Sequence, residues 1–300
     1  MLARAGHPVT LIGRAAHVLA VQQAGLQLEM AGQVQTVPLL AATDLAAVRG
    51  ADLVLFCVKS TDTDAVARQI APLLAADALV LSLQNGVDNA AVMQRHLRQT
   101  VVPTVVYVAT AMPGPGRVQH FGRGDLVIGA LGAGQRDEAL LQPRLQAVVS
   151  LFASAQVSVR ISADVMTELW LKLVINCAWN ALSGLARLPY GQIAAQTGIA
   201  ELQRAVVMEV LAVAQAEGQP LALQAALDAV DRIASAMPAQ HSSTAQDMAR
   251  GKPSEIDHIN GYVARRGAEL GIATPVNHTL HTLVKLAESA GCAPRSTQPP

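Results

Sequence analysis

The sequence predicts an α/β domain of Rossmann-like type followed by an all-α domain, and three observations predict it. Short apolar runs without alternation, such as Asp52–Val58 and Ala78–Leu83, alternate with helical patterns through the first half. That is the mark of buried parallel strands with helices on both faces. After Ser162 every segment has helical spacing. Finally, 51% of the 300 residues are hydrophobic while only 3% are aromatic. A chain of this length is enough for one large domain or two ordinary ones, and with so few aromatics the core must be built from Ala, Val, Leu and Ile.

In order along the chain, Met1–Ala5 reads as the tail of a helix closed by Gly6. Val9–Ile12 is a short strand, and Leu26–Met30 and Val34–Ala41 alternate as strands. Asp44–Arg49 is a short helix and Asp52–Val58 a buried strand. Asp62–Ala75 is a helix with Val66, Ile70 and Leu74 on one face. Ala78–Leu83 is a second buried strand, Ala90–Leu97 a helix and Val101–Ala111 a strand. Gly116–Ala130 reads as a hairpin about Gly122-Arg123-Gly124. Glu138–Ala153 is a helix and Val157–Ile161 the last strand. Helical segments follow at about 164–186, 198–216, 220–236, 243–250, 254–270 and 275–289. The expected division is 1–162 for the sheet domain, 163–292 for the helical domain, and a disordered Pro/Ser/Thr-rich tail over 293–300.

The 22 basic and 22 acidic residues balance. Nucleic acid, which selects an excess of Lys and Arg, is therefore not an expected partner, and neither is an anionic membrane surface. No run reaches the roughly 18 unbroken apolar residues of a membrane helix, and the N-terminus has no signal-peptide core. Cys57, Cys177 and Cys292 form no C-x-x-C pair; the first two lie in apolar runs and read as core residues. A reducing, cytoplasmic location is the expectation. His278 and His281 lack a third ligand, so no metal is expected. Gly114-Pro115-Gly116 is no dinucleotide fingerprint, because Gln119 takes the third glycine position and no helix follows.

The segment Glu168–Leu185 is apolar nearly all round and should be a buried helix. Lys172, Asn176 and Asn180 interrupt it at intervals of four, which puts all three on one face. A buried ammonium beside two amides suits a general acid in a cleft; a polar network stapling helices is the alternative. The spacing on so apolar a helix favours the site. Ser243 with Gln246 forms a capping-box pattern, and Ser254 can cap the next helix with Glu255 in its first turn, so these residues have a complete structural account. Arg14, Lys59 and Asn85 each follow the carboxyl end of a predicted strand, where such sheets bind ligands; solvated side chains, or a plain Asn85-Gly86 turn, would account for them equally. No acidic residue lies between Arg14 and Leu28, and an Arg at the end of that strand favours a 2′-phosphate over a ribose diol.

The segments ARAGHPVTLIGR (3–14), LVLFCVKS (53–60), LSLQNGV (81–87), ELWLKLVINCAWNALSGL (168–185), SSTAQD (242–247) and EIDHINGYVARRGAELGIATP (255–275) together resemble the ketopantoate reductase family, in its order and spacing. The resemblance implies an NADP(H)-dependent 2-dehydropantoate 2-reductase of pantothenate biosynthesis, with its site in the cleft between the two domains. It makes Lys172 the general acid and Glu255 the residue that holds the substrate hydroxyl. It places Asn176, Asn180 and Ser243 on the substrate, and Asn85 and Glu255 where cofactor and substrate meet. Arg14 and Lys59 would contact NADPH, Arg14 through the 2′-phosphate. The motifs leave the substrate side chain open, so a reductase of a different 2-keto acid fits as well. The resemblance also implies a first strand and a G-x-G-x-x-G turn ahead of Met1, about twenty residues. The expectation is a start codon assigned too late. Without them the sheet would lack a central strand, and the chain would be less stable and hold NADPH poorly. A non-catalytic member that keeps its helical domain as an interaction module is the alternative. The helical domain can stand alone or pair into a homodimer through an apolar face.

Overall fold

The computed structural model describes residues 1–132 and 138–292, so the expected disordered tail lies outside the described residues. The chain forms two compact units. One comprises Met1–Gln84 and Asp88–Met166, the other Asn85–Val87 and the chain from Thr167 onward.

In the first unit, a single 3-10 turn at Ala3–Ala5 ends at Gly6, whose φ of +86° lets its N–H reach back to the Ala3 carbonyl. Then come β1 (Thr10–Ile12), α1 (Ala15–Ala24), β2 (Leu26–Met30), β3 (Gln33–Val37) and β4 (Leu40–Ala42). The expected helix after β4 is a 3-10 turn, Leu45–Val48, capped by the Asp44 carboxylate. β5 (Leu53–Phe56), α2 (Thr63–Ile70), β6 (Leu79–Ser82), α3 (Asn89–Gln94), β7 (Thr100–Gly114), β8 (Arg117–Ile128), α4 (Glu138–Ser154) and β9 (Val159–Ile161) complete it.

β1 pairs with β4 in a two-stranded parallel sheet; the larger sheet runs β3-β2-β8-β7-β6-β5, with β9 also on β8. This sheet is mixed where the sequence predicts a parallel one. β5, β6 and β7 are parallel, but β7 and β8 are antiparallel. A two-residue link at Pro115-Gly116 permits only an antiparallel return. That link also corrects the expected hairpin. Gly122, Arg123 and Gly124 are not its turn; they lie inside β8, with φ of +132°, +53° and +151°, beside two register shifts. There they form an irregularity in a continuing strand, and the Arg123 guanidinium stacks 4.5 Å from the Tyr107 ring.

β6 is buried throughout. Its Val80 packs with Phe56, Ile70 and Met93 under α2 and α3, while Leu79 and Leu81 pack with Leu145 and Val148 of α4. This is the alternation that two covered faces require. β5 is less buried than its composition predicts, because it is the terminal strand of the larger sheet. For the same reason Cys57, expected in the core, is exposed, whereas Cys177 is buried.

The second unit is helical: α5 (Val165–Ala186), α6 (Tyr190–Ala194), α7 (Ile199–Ala216), α8 (Leu223–Ala236), α9 (Ser243–Ala249), a 3-10 turn (Ile256–His258), α10 (Asn260–Leu270) and α11 (Pro275–Cys292). The expected helix over 254–270 is split at Ile259. By length and composition α5 could cross a membrane, but 67% of its apolar window is buried in the protein, as for a core helix. Trp179 anchors it: its Nε1 donates to the Val230 carbonyl of α8 at 3.0 Å, and its ring meets Tyr190 at 5.2 Å. Trp170 meets Tyr262 of α10 edge-on.

Candidate active site

α5 carries Lys172, Asn176 and Asn180 one turn apart along one face. Lys172 and Asn176 are half-buried and Asn180 is buried. Residues one position away, Leu173, Cys177 and Ala181, are at most 1% exposed. Lys172 and Asn176 are therefore more open than the positions that follow them, while Asn180 is enclosed.

Two segments pack along α5 beside this strip. At the start of α9, the Ser242 hydroxyl donates to the Asn180 carbonyl at 3.3 Å and accepts from Ala245 N–H at 3.0 Å. The cap is thus Ser242, correcting the capping-box reading of Ser243. Ser243 stands next to it, exposed, its hydroxyl not engaged in the cap. α9 sits this close because Gly184 has no side chain; a Cβ there would lie 2.9 Å from Thr244 Cγ2. Further along, the buried Asn260 amide donates to the Cys177 carbonyl at 3.0 Å and to Asn277 Oδ1 at 3.0 Å. This ties the start of α10 to α5 beside Asn176. Among the described residues, Asn176, Asn180 and Ser243 give their side-chain polar groups to no protein partner.

Glu255 lies just before the 3-10 turn. Ser254 does not cap a long helix; its hydroxyl accepts from Ile256 N–H at 3.3 Å, a local turn. Asn85 Nδ2 donates to Glu255 Oε2 at 3.2 Å across 170 residues of sequence. The chain bends at Asn85-Gly86, with Gly86 at φ +102°, and the bend presents the amide to that carboxylate.

In the first unit, Arg14 follows β1 after Gly13 and is exposed at the N-terminus of α1. Lys59 follows β5. A buried network fixes the loop after β5, and sequence reasoning did not find it. Gln84 Nε2 donates to the Val58 carbonyl at 3.0 Å and to Thr63 Oγ1 at 2.6 Å; Thr63 donates to Asn89 Oδ1 at 2.8 Å, and Asn89 to Ser60 Oγ at 3.2 Å. The available signal was Gln84, a polar residue closing an apolar run that only Ser82 interrupts. Arg14 thus follows a strand of the two-stranded sheet and Lys59 the terminal strand of the larger one.

Asp257, also unforeseen, accepts from Lys285 Nζ at 2.8 Å and hydrogen-bonds His281 Nε2 at 2.6 Å. Partial burial disfavours its charged form, but the bonds and charges of His281 and Lys285 outweigh this and hold its carboxyl below the usual range.

The model of the family described as "Ketopantoate reductase PanE/ApbA" matches residues 1–133, and that of its C-terminal domain matches residues 164–288. The chain is 33% identical over 287 residues to the 2-dehydropantoate 2-reductase of Halobacterium salinarum, covering 94% of this chain and 92% of that protein. It is 31% identical to the Vibrio cholerae enzyme of the same name, over 80% of this chain and 79% of that one. Among solved structures, a PanE/ApbA family ketopantoate reductase from Ralstonia eutropha superposes with a TM-score of 0.88 at 51% identity, covering 97% and 93% of the two chains. D-mandelate dehydrogenase with NADH and anilino(oxo)acetate shares the fold, with a TM-score of 0.87 at 22% identity and coverage of 97% and 94%. By family models spanning both halves of the sequence and by these relatives, the chain belongs to the ketopantoate reductase family of nicotinamide-dependent oxidoreductases.

Proposed function

We propose that the protein reduces 2-dehydropantoate to pantoate with NADPH. The observation that carries this reading is the strip Lys172-Asn176-Asn180 on α5, with Ser243 and the Asn85–Glu255 pair in the same compact unit. Bound NADPH supplies the hydride that reduces the 2-keto carbon. The Lys172 ammonium donates the proton to the carbonyl oxygen, and its charge stabilises the negative charge developing there. Glu255, oriented by the Asn85 amide, accepts from the substrate hydroxyl. Asn176 and Asn180 supply amide donors and acceptors, and Ser243 donates to the substrate carboxylate. Arg14 would hold the 2′-phosphate of the cofactor and Lys59 would offer it a further positive charge. Asn85 and Glu255 stand where cofactor and substrate meet.

The test is NADPH oxidation by the purified protein with ketopantoate, against a panel of 2-keto acids. The highest kcat/KM should fall on ketopantoate; a higher value for another 2-keto acid would keep the chemistry and replace the substrate. No oxidation with any of them would end the reading.

A further inference from the structure

We propose that Asp257 is a positioning residue for substrate binding, and that the clamp it forms with α11 acts through Glu255. This rests on the reading of Glu255 as the residue that holds the substrate. Glu255 belongs to no stable element of its own. It precedes a 3-10 turn of three residues, Ile256–His258, and so short a turn is not self-supporting. Its position must come from tertiary contacts.

Those contacts flank it on both sides, and the described ones converge on one face of one helix. Before Glu255, Ser254 N–H donates to Glu288 Oε1 at 2.8 Å. After it, Asp257 takes His281 on one carboxylate oxygen and Lys285 on the other. His281, Lys285 and Glu288 are spaced four and three apart, so α11 presents them as a single row. Lys285 also lies 3.5 Å from Glu288, which links the two grips. Between them Ile256 is fully buried and prevents the segment from turning. The His281 ring is seated against Gly261, where a Cβ would come within 2.8 Å of it. A carboxylate accepting two donors from a rigid helix fixes the backbone two residues from Glu255. The Glu255 side chain itself accepts from the Asn85 amide.

The experiment is calorimetric titration of ketopantoate in the presence of NADP⁺, a pair that does not react, alongside KM and kcat. It compares Glu255→Ala, Asp257→Ala and the double variant. Asp257→Ala should weaken ketopantoate binding about tenfold, the scale of a lost charged hydrogen bond, with a matching rise in KM and a smaller change in kcat. In the Glu255→Ala background the same substitution should add nothing, because its effect passes through Glu255. Additive effects, or no effect of Asp257→Ala beside a clear effect of Glu255→Ala, would overturn the proposal. No effect of Glu255→Ala would instead remove the reading of Glu255 on which it rests. Should Asp257→Ala not fold, Lys285→Met removes one arm of the clamp from a partly exposed side chain. It should weaken binding in the same direction, and an unchanged affinity there would equally overturn the proposal.

Discussion

Lys172 is a long, half-buried cationic side chain on a core helix, and at the residue scale it carries the proposed chemistry. Lys172→Ala should lower kcat by roughly 10²–10⁴, the usual worth of a general acid. NADPH affinity, read by fluorescence titration, should change far less; an equal loss in both would argue for a binding role only. Arg14 sits exposed after β1, so Arg14→Ala should bring the kcat/KM values for NADPH and NADH closer together. An unchanged ratio would remove the 2′-phosphate from its role. Asp257 adds a pH dependence. Its folded pKa is depressed, so its stabilising contribution is present above the ordinary carboxylate range and is lost as pH falls through the depressed value. The Lys285 pKa is raised, chiefly by its bond to Asp257. That contribution is present below the ordinary lysine value and is lost as pH rises through the raised one. Denaturant unfolding across acid pH should show a steeper loss in the native protein than in Asp257→Asn; parallel curves would count against the clamp.

At the scale of elements, close approach between helices decides where the site residues stand. Gly184→Ala puts a methyl 2.9 Å from Thr244 and 3.0 Å from Met248 Sδ. Met248 can move aside more readily than Thr244, so α9 should shift from α5 at a cost of about 1–3 kcal/mol. A lower Tm and a higher KM for the keto acid should appear together, since Ser243 moves with α9. In the sheet unit, Gln84→Ala removes the donor that joins the Val58 carbonyl to Thr63. Leaving those buried groups unmatched should cost about 1–3 kcal/mol. α5 was legible because its apolar pattern repeats over six turns. α1 was not, because only Val18 and Val21 are buried and Arg14 makes no side-chain cap. The β7–β8 hairpin was misplaced because glycines inside a strand and glycines at a turn look alike in one sequence, and only pairing separates them.

For the whole molecule, two compact units, each with buried apolar residues of its own, mean that unfolding need not be two-state. A ligand that binds the native protein adds stability by mass action, about 2.7 kcal/mol at a hundred times its Kd. Thermal scans with NADPH should therefore show a rise in Tm that exceeds the rise with NADH at equal concentration. Equal rises would set the cofactor preference aside.

Fold class and the strip on α5 were determined by the sequence itself, because they depend on periodicity within a few residues, which backbone geometry turns directly into faces. Tertiary structure alone decided the rest. It brought Asn85 to Glu255 across 170 residues and made Ser242 rather than Ser243 the cap. It also gave Asp257 its partners on α11 and exposed Cys57 at the end of a terminal strand. Each of these depends on which surfaces meet once the core is packed, and no local pattern encodes that meeting.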